Sequence, residues 1–177
     1  MSYNFLDKIY KSNSYSTSKD LYQKWAPSYD DELTENKYVT PLRCAQILSN
    51  YIKNKNIKIL DIGCGTGLSG FALKKNGIKS IDGLDLSEEM LKIAEQKKIY
   101  QSLFNFDLNN PTDFNHKYDA IIAAGVISPT HANPDTIISS YSMLKKKGLM
   151  IFSINDHALN DRLFFCSINK IIQNSNF

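Results

Sequence analysis

Three carboxylates, one histidine and a stretch of nearly bare backbone are the places where this sequence could do chemistry. Asp61 stands in "ILDIGCGTGLSG", residues 59–70, where Gly63, Gly65, Gly67 and Gly70 follow it within nine positions. Glycines at that density allow positive φ and let a ligand lie against the main chain. The stretch parses in two ways. Gly65, Gly67 and Gly70 fit G-x-G-x-x-G, a dinucleotide cradle, whereas Asp61, Gly63, Gly65 and Gly67 fit an acid two positions ahead of G-x-G-x-G. Asp85 could grip the vicinal hydroxyls of a ribose in either case, because a carboxylate accepts two hydrogen bonds from a diol. Asp61 would repel a pyrophosphate but suits a ligand with an ammonium group. Asp107 could accept from an adenine amino group. Those two acids favour the second parse.

The elements that must position these groups follow from pattern. "IKILDIG", "SIDGLDL", "YQSLFNFDL", "YDAIIAAGV" and "LMIFSIND" read as five strands. Helices are expected over "GLSGFALKKN", closed by Gly77, over "SEEMLKIAEQKK", opened by Ser87, and over "PDTIISSYSMLKKKG". Ahead of them "TPLRCAQILSNYIKN" reads as a helix capped by Thr40, with Pro41 in its first turn. Tyr22, Trp25 and Tyr29 recur at helical steps that Pro27 should interrupt. Strands alternating with helices mean βαβ units, a mostly parallel sheet, and a ligand site beyond the strand carboxyl ends. The three acids and the glycines fall at that edge.

Composition narrows the classes. The 177 residues are 42% hydrophobic and 22% charged, ordinary for one globular domain. A net charge of +3 with scattered lysines is not a nucleic-acid footprint; only Lys145, Lys146 and Lys147 run together, where a helix should end. No apolar run is long enough to span a membrane. Cys44, Cys64 and Cys166 lack ligand-like spacing, which suits reduced thiols in a cytoplasmic protein and indicates neither disulfides nor metal. Cys64, between two glycines, is expected to be a packing residue.

"ILDIGCGTG", "DGLDLSEEML", "FNFDL" and "YDAIIAAGV", in this order and spacing, resemble the successive motifs of class I S-adenosylmethionine-dependent methyltransferases. The segment "LYQKWAPSYDDEL" resembles the Y-D-x-x-A-x-x-Y-D signature ahead of that domain in small-molecule members, with Gln23 in place of its first aspartate. "WAPSYD" and "AGVISPTHA" are similar to the methyltransferase-like subgroup of the Williams–Beuren region. The resemblance implies a Rossmann-like doubly wound sheet, with a lid segment at residues 1–39 and the cofactor domain at 40–177. It implies that Gly63, Gly65 and Gly67 let the backbone approach S-adenosylmethionine and that Asp61 organises its amino end. Asp85 would hold the ribose, Leu86 would pack on adenine, and Asp107 with Leu108 would read the adenine edge. Ala124 and Gly125 would border the methionyl chain, and Tyr22 and Tyr29 would close over it.

His131, beyond the fourth strand, is the candidate catalytic base, with Asn155 and Asp156 as further candidates for substrate contact. The DNA-base methyltransferase motif, Asn or Asp followed by two prolines and an aromatic, is replaced by "AAGVISPT", so a small-molecule acceptor is expected. The family sheet has seven strands; segments for five are recognised here, and Phe177 reads as the first residue of a sixth. A fifth strand left as an edge would invite pairing with another copy or a partner chain. Two alternatives stay open beside the enzyme: a non-catalytic module that holds the cofactor or its demethylated product, and an NAD-dependent oxidoreductase.

Overall fold

A computed structural model of the chain describes residues 5, 8, 15–109, 114–129 and 131–174. Five strands form one parallel sheet: β1 (Lys58–Ile62), β2 (Ser80–Asp85), β3 (Ser102–Asn105), β4 (Tyr118–Ile127) and β5 (Leu144–Ile154). Their order is β3-β2-β1-β4-β5, with every neighbouring pair parallel. The chain builds outward from β1 to β3, then returns to place β4 on the other side of β1. That reversal opens a crevice between β1 and β4, the usual ligand position in such sheets.

Both faces of the sheet are covered, so β1 and β2 are buried at almost every position, Asp61 and Asp82 included. Alternate residues divide between two cores. On one face Ile59, Ile81, Ala120 and Ile122 pack with Cys44, Ala45 and Leu48 of α3 (Thr40–Tyr51) and with Leu73 of α4 (Leu68–Lys75). On the other, Leu60, Ile62, Leu84 and Ile121 meet Ile137 of α6 (Asp135–Ser142) and Phe164 of α8 (Arg162–Asn174). Between β2 and β3 runs α5 (Glu88–Gln96); Ser87 caps it by accepting from the Met90 N–H, and Gly77 leaves α4 at φ +85°. A short helix, α7 (Asp156–Asn160), follows β5.

Ahead of the sheet, α1 (Tyr15–Trp25) ends in a tight 3₁₀ turn, Ala26–Ser28, that contains Pro27, and α2 (Tyr29–Glu35) follows. The expected interruption at Pro27 is therefore present. Trp25 and Leu33 seal this segment as a small third core.

Three local expectations need correction. Thr40 is the first helical residue of α3 rather than its cap; Val39 occupies the cap position and no side chain bonds the freed N–H groups. The third strand covers only Ser102–Asn105 of the longer run expected, the residues beyond it turning instead. Lys145, Lys146 and Lys147 do not end a helix. They lie in β5, where Tyr118 pairs with Leu144 and Ala120 with Leu149, so Lys145–Gly148 bulge out of register. Lys147 takes φ +64° there, and the Lys145 ammonium reaches Asp119 at 2.9 Å. Phe177 and the sixth strand it suggested lie outside the described residues.

Candidate functional site

The crevice between β1 and β4 opens into a cleft with about 800 Å³ of empty space. Ten of the fifteen predicted site residues line it. Gly63 and Gly65 form its floor beyond β1, and Asp85 with Leu86 borders it at the end of β2. Leu108 and Ala124 contribute from the chain beyond β3 and from β4, while Tyr22, Tyr29 and His131 overhang it. Asp61, Gly67 and Asp107 do not line it.

The glycine loop is built as a tight series of left-handed turns, with Gly63 at φ +60°, Gly65 at +52° and Gly67 at +99°. Side chains other than glycine adopt that region only at a cost of about 1–2 kcal/mol per residue. A Cβ on Gly65 would meet nothing within 4 Å, so that position faces open space. A Cβ on Gly63 would fall 2.3 Å from Val126 Cγ2. Asp85 braces the loop from the next strand: its carboxylate accepts from the Gly65 N–H at 2.8 Å and from the Ser87 N–H at 2.9 Å. Burial pushes its pKa up, and the N–H groups of Ser87, Gly65 and Leu86 pull it back. Each carboxylate oxygen keeps a further acceptor direction toward a ligand.

Asp61 lies behind this floor rather than in the cleft. It is fully buried, with Oδ2 accepting from the Tyr100 hydroxyl at 2.7 Å and Oδ1 without a partner. Burial, reinforced by nearby Asp85, raises its pKa to about 7 against the pull of the Tyr100 hydroxyl. Gly70, in α4, completes the same knot, because an added Cβ would lie 2.5 Å from the Tyr100 hydroxyl oxygen. The last glycine of the stretch thus makes room for a tyrosine. Asp107 accepts from the Asn109 N–H at 2.9 Å, the local turn its sequence context favours. Cys64 is buried, and burial with Asp85 and Asp61 nearby pushes its thiol well up, so it is inert packing.

The overhang is held by hydrogen bonds between the N-terminal helices and the sheet. The Tyr22 hydroxyl lies 2.7 Å from His131 Nε2, and Ser128 Oγ bonds the other ring nitrogen. Burial lowers the His131 pKa to about 4, so the ring is neutral at pH 7. Asp30, in α2, receives the Thr66 hydroxyl from the glycine loop and the Lys97 ammonium from beyond α5. Tyr100 and Ser128 were not singled out from sequence, and Asp30 was named only as part of the front signature, without a role. Asp30 had a usable signal, since it follows Tyr29 in the front signature; Tyr100 and Ser128 had none.

Tyr22, Tyr29, Gly125 and His131 also line a second cavity, with about 690 Å³ of empty space, on the far side of the overhang. Gly125 sits at φ +78°, and its N–H donates to Ser153 Oγ at 2.7 Å. Asn155 lines this cavity, and its Oδ1 caps α7 by accepting from the Ala158 N–H. Asp156 lines neither space.

Two buried groups give opposite pH dependences. Asp61 titrates near 7 when folded but near 3.8 when unfolded, so its contribution to stability, full below about pH 4, is lost as pH rises to about 7. His131 titrates near 4 when folded and 6.5 when unfolded, so its contribution, full above 6.5, is lost as pH falls to about 4. Urea midpoints taken from about pH 5 to about pH 7.5 should therefore rise with pH in Asp61→Asn and fall in His131→Gln, relative to the unaltered chain. Parallel curves for all three proteins would remove both assignments.

A parallel sheet in the order 3-2-1-4-5, a glycine floor after β1 and an acid at the end of β2 bordering the cleft are those of a class I, Rossmann-like, S-adenosylmethionine-dependent methyltransferase fold. The chain belongs to the methyltransferase domain family, whose pattern it matches over residues 37–165. It is 29% identical over 151 residues to the malonyl-[acyl-carrier protein] O-methyltransferase of Priestia megaterium, covering 84% of this chain and 54% of that one. The ribosomal protein L11 methyltransferase of Ruminiclostridium cellulolyticum is 27% identical over 150 residues, 76% of this chain and 46% of that one. The crystal structure of a TehB-like S-adenosylmethionine-dependent methyltransferase from Corynebacterium glutamicum superimposes with a TM-score of 0.65 at 19% identity, over 86% of this chain and 81% of that one. The chain thus spans about half the length of these two curated relatives. S-adenosylmethionine is the cofactor that this family and fold imply. No helix among the described residues is long and apolar enough to cross a membrane.

The residues present fit that cofactor. Gly65 offers main chain with open space where a side chain would stand, and Asp85 offers acceptors for a diol. Leu86, Phe106 and Leu108 give an apolar slot for a flat ring. Among the described lining residues there is no lysine or arginine to pair with a pyrophosphate.

Proposed function

We propose that the chain transfers a methyl group from S-adenosylmethionine to a small-molecule acceptor by direct in-line displacement. The observation that carries this reading is the position of Asp85 at the cleft margin, braced by the glycine loop it also receives hydrogen bonds from. Asp85 would hold the ribose hydroxyls, Leu86 and Leu108 would sandwich the adenine, and Gly63, Gly65 and Ala124 would border the methionyl chain. Tyr22 and Tyr29 would cover it. Asp61 acts from behind, fixing the glycine loop through Tyr100. The subgroup resemblance at the front segment and at "AGVISPTHA" supports a small acceptor, while the relatives named for an acyl carrier protein and for ribosomal protein L11 show how widely acceptors vary among similar chains.

When bound, the cofactor would supply an electrophilic methyl on a sulfonium sulfur: the acceptor's lone pair would bond the methyl carbon, the carbon–sulfur bonding electrons would remain on sulfur, and the acceptor's proton would pass to water. The protein's share is to align the acceptor and exclude water. His131 suits alignment better than proton abstraction, since its two nitrogens are engaged by Tyr22 and Ser128 and its basicity is low. That engagement also favours a second reading, a module that binds the cofactor or its product without turnover.

Calorimetric titration with S-adenosylhomocysteine tests the shared premise. Micromolar binding is expected, with NAD silent; NAD binding with no response to S-adenosylhomocysteine would sink both readings. Methyl transfer to any member of an acceptor panel then separates enzyme from module.

A further inference from the structure

The second cavity differs from the cofactor cleft in one respect: none of its described lining residues carries a formal charge. Its walls are aromatic and aliphatic, with Trp25, Tyr38 and Leu33 opposite the end of β5. The polar groups among its described lining residues are neutral, and several can donate, including the unpartnered Trp25 Nε1–H. Ser153 accepts from Gly125 and keeps its own proton to give, and Asn155 spends its oxygen on α7 and keeps its amide N–H groups. Thr40 adds a hydroxyl. From these observations, and resting on the functional reading above, we infer that this cavity holds the methyl acceptor and that the acceptor is an uncharged molecule with an aromatic or apolar body and an oxygen at its edge.

The shared wall supports the placement. Tyr22, Tyr29, Gly125 and His131 border both spaces, so the two adjoin there, and an acceptor in the second cavity would meet the cofactor's methionyl end where they join. Charge is the discriminating property. A carboxylate or ammonium in this cavity would exchange water for a site without a counter-ion, which is strongly unfavourable. A neutral oxygen would exchange water for Ser153 and Asn155 donors, at little net cost.

Three probes of one shape separate the cases: 4-hydroxybenzamide, 4-hydroxybenzoate and 4-hydroxybenzylammonium, titrated by nuclear magnetic resonance into the 177-residue chain with S-adenosylhomocysteine present. The neutral amide should bind at least about tenfold tighter than either ion. Asn155→Asp, which keeps the acceptor for the Ala158 N–H, should reverse the order in favour of the ammonium probe. Equal or tighter binding of an ion to the unaltered chain, no binding of any probe, or an unchanged order in the variant would overturn the inference. S-adenosylhomocysteine binding is read in the same samples, so its absence would overturn the functional reading instead. The probe order on the chain alone would then decide the cavity separately.

Discussion

Gly70→Ala should destabilise the fold by about 2–4 kcal/mol, although alanine is the better helix former by about 1 kcal/mol. The new methyl would lie 2.5 Å from the Tyr100 hydroxyl oxygen, 2.6 Å from Cζ and 2.8 Å from Cε1. A ring cannot yield at three atoms without moving bodily, and moving it breaks the hydrogen bond to Asp61. Asp61 is buried with its other oxygen already unpartnered, so losing that donor costs about 1–3 kcal/mol by itself. Tyr100→Phe should not rescue the variant, because Cζ and Cε1 remain in the way. Tyr100→Leu should, so that the double variant is less destabilised than the sum of the single changes. Urea denaturation of the unaltered chain, the three single variants and the two double variants measures this; a loss below about 1 kcal/mol in Gly70→Ala would mean that the ring is not held where the structure puts it.

Asp85→Ala should have the larger effect on binding. It removes the acceptor of the Gly65 and Ser87 N–H groups, leaving two donors at the cleft margin unpaired, and it removes the group proposed to hold the ribose. S-adenosylhomocysteine affinity should fall at least about 100-fold, close to 2.7 kcal/mol, with about 1–3 kcal/mol lost from stability. Asp85→Asn keeps one oxygen but turns a donor toward one of the two N–H groups, so it should fall between. Gly65→Ala is the control from the other side. Its methyl meets nothing in the protein, so its stability cost is only the left-handed backbone, about 1–2 kcal/mol, while affinity should drop with it. Affinity within about threefold of the unaltered chain in a folded Asp85→Ala protein would remove Asp85 from the ligand's contacts.

The sheet was legible because short runs rich in apolar residues mark the strands, as in Ala120–Ala124 of β4, and because helices separate them. The cradle was legible because glycine takes the left-handed backbone of Gly63, Gly65 and Gly67 without the cost a side chain adds, and three such residues in five positions are hard to explain otherwise. Pattern failed where chemistry depends on distant partners. Tyr100 and Asp61 are 39 positions apart, and nothing local marks either as the other's partner. Asp61 therefore reads as a ligand contact from its glycine neighbours, whereas the structure buries it behind them. Lys145–Lys147 read as a helix end because lysines suit that place; the fold instead continues α6 only to Ser142 and lets them bulge from β5.

The second cavity draws Tyr22, Trp25, Tyr29, Leu33, Tyr38 and Thr40 from the chain ahead of β1, and the glycine floor comes from the chain just after it. The aromatic wall of the second cavity and the glycine floor of the cleft are thus encoded in separate stretches of the gene, while the donors Ser153 and Asn155 come from a third. Substitutions in the first stretch can retune which acceptor fits while the second goes on serving the same methyl donor. Descendants of one ancestral cradle could diversify in this way by exchanging or rewriting a single leading segment.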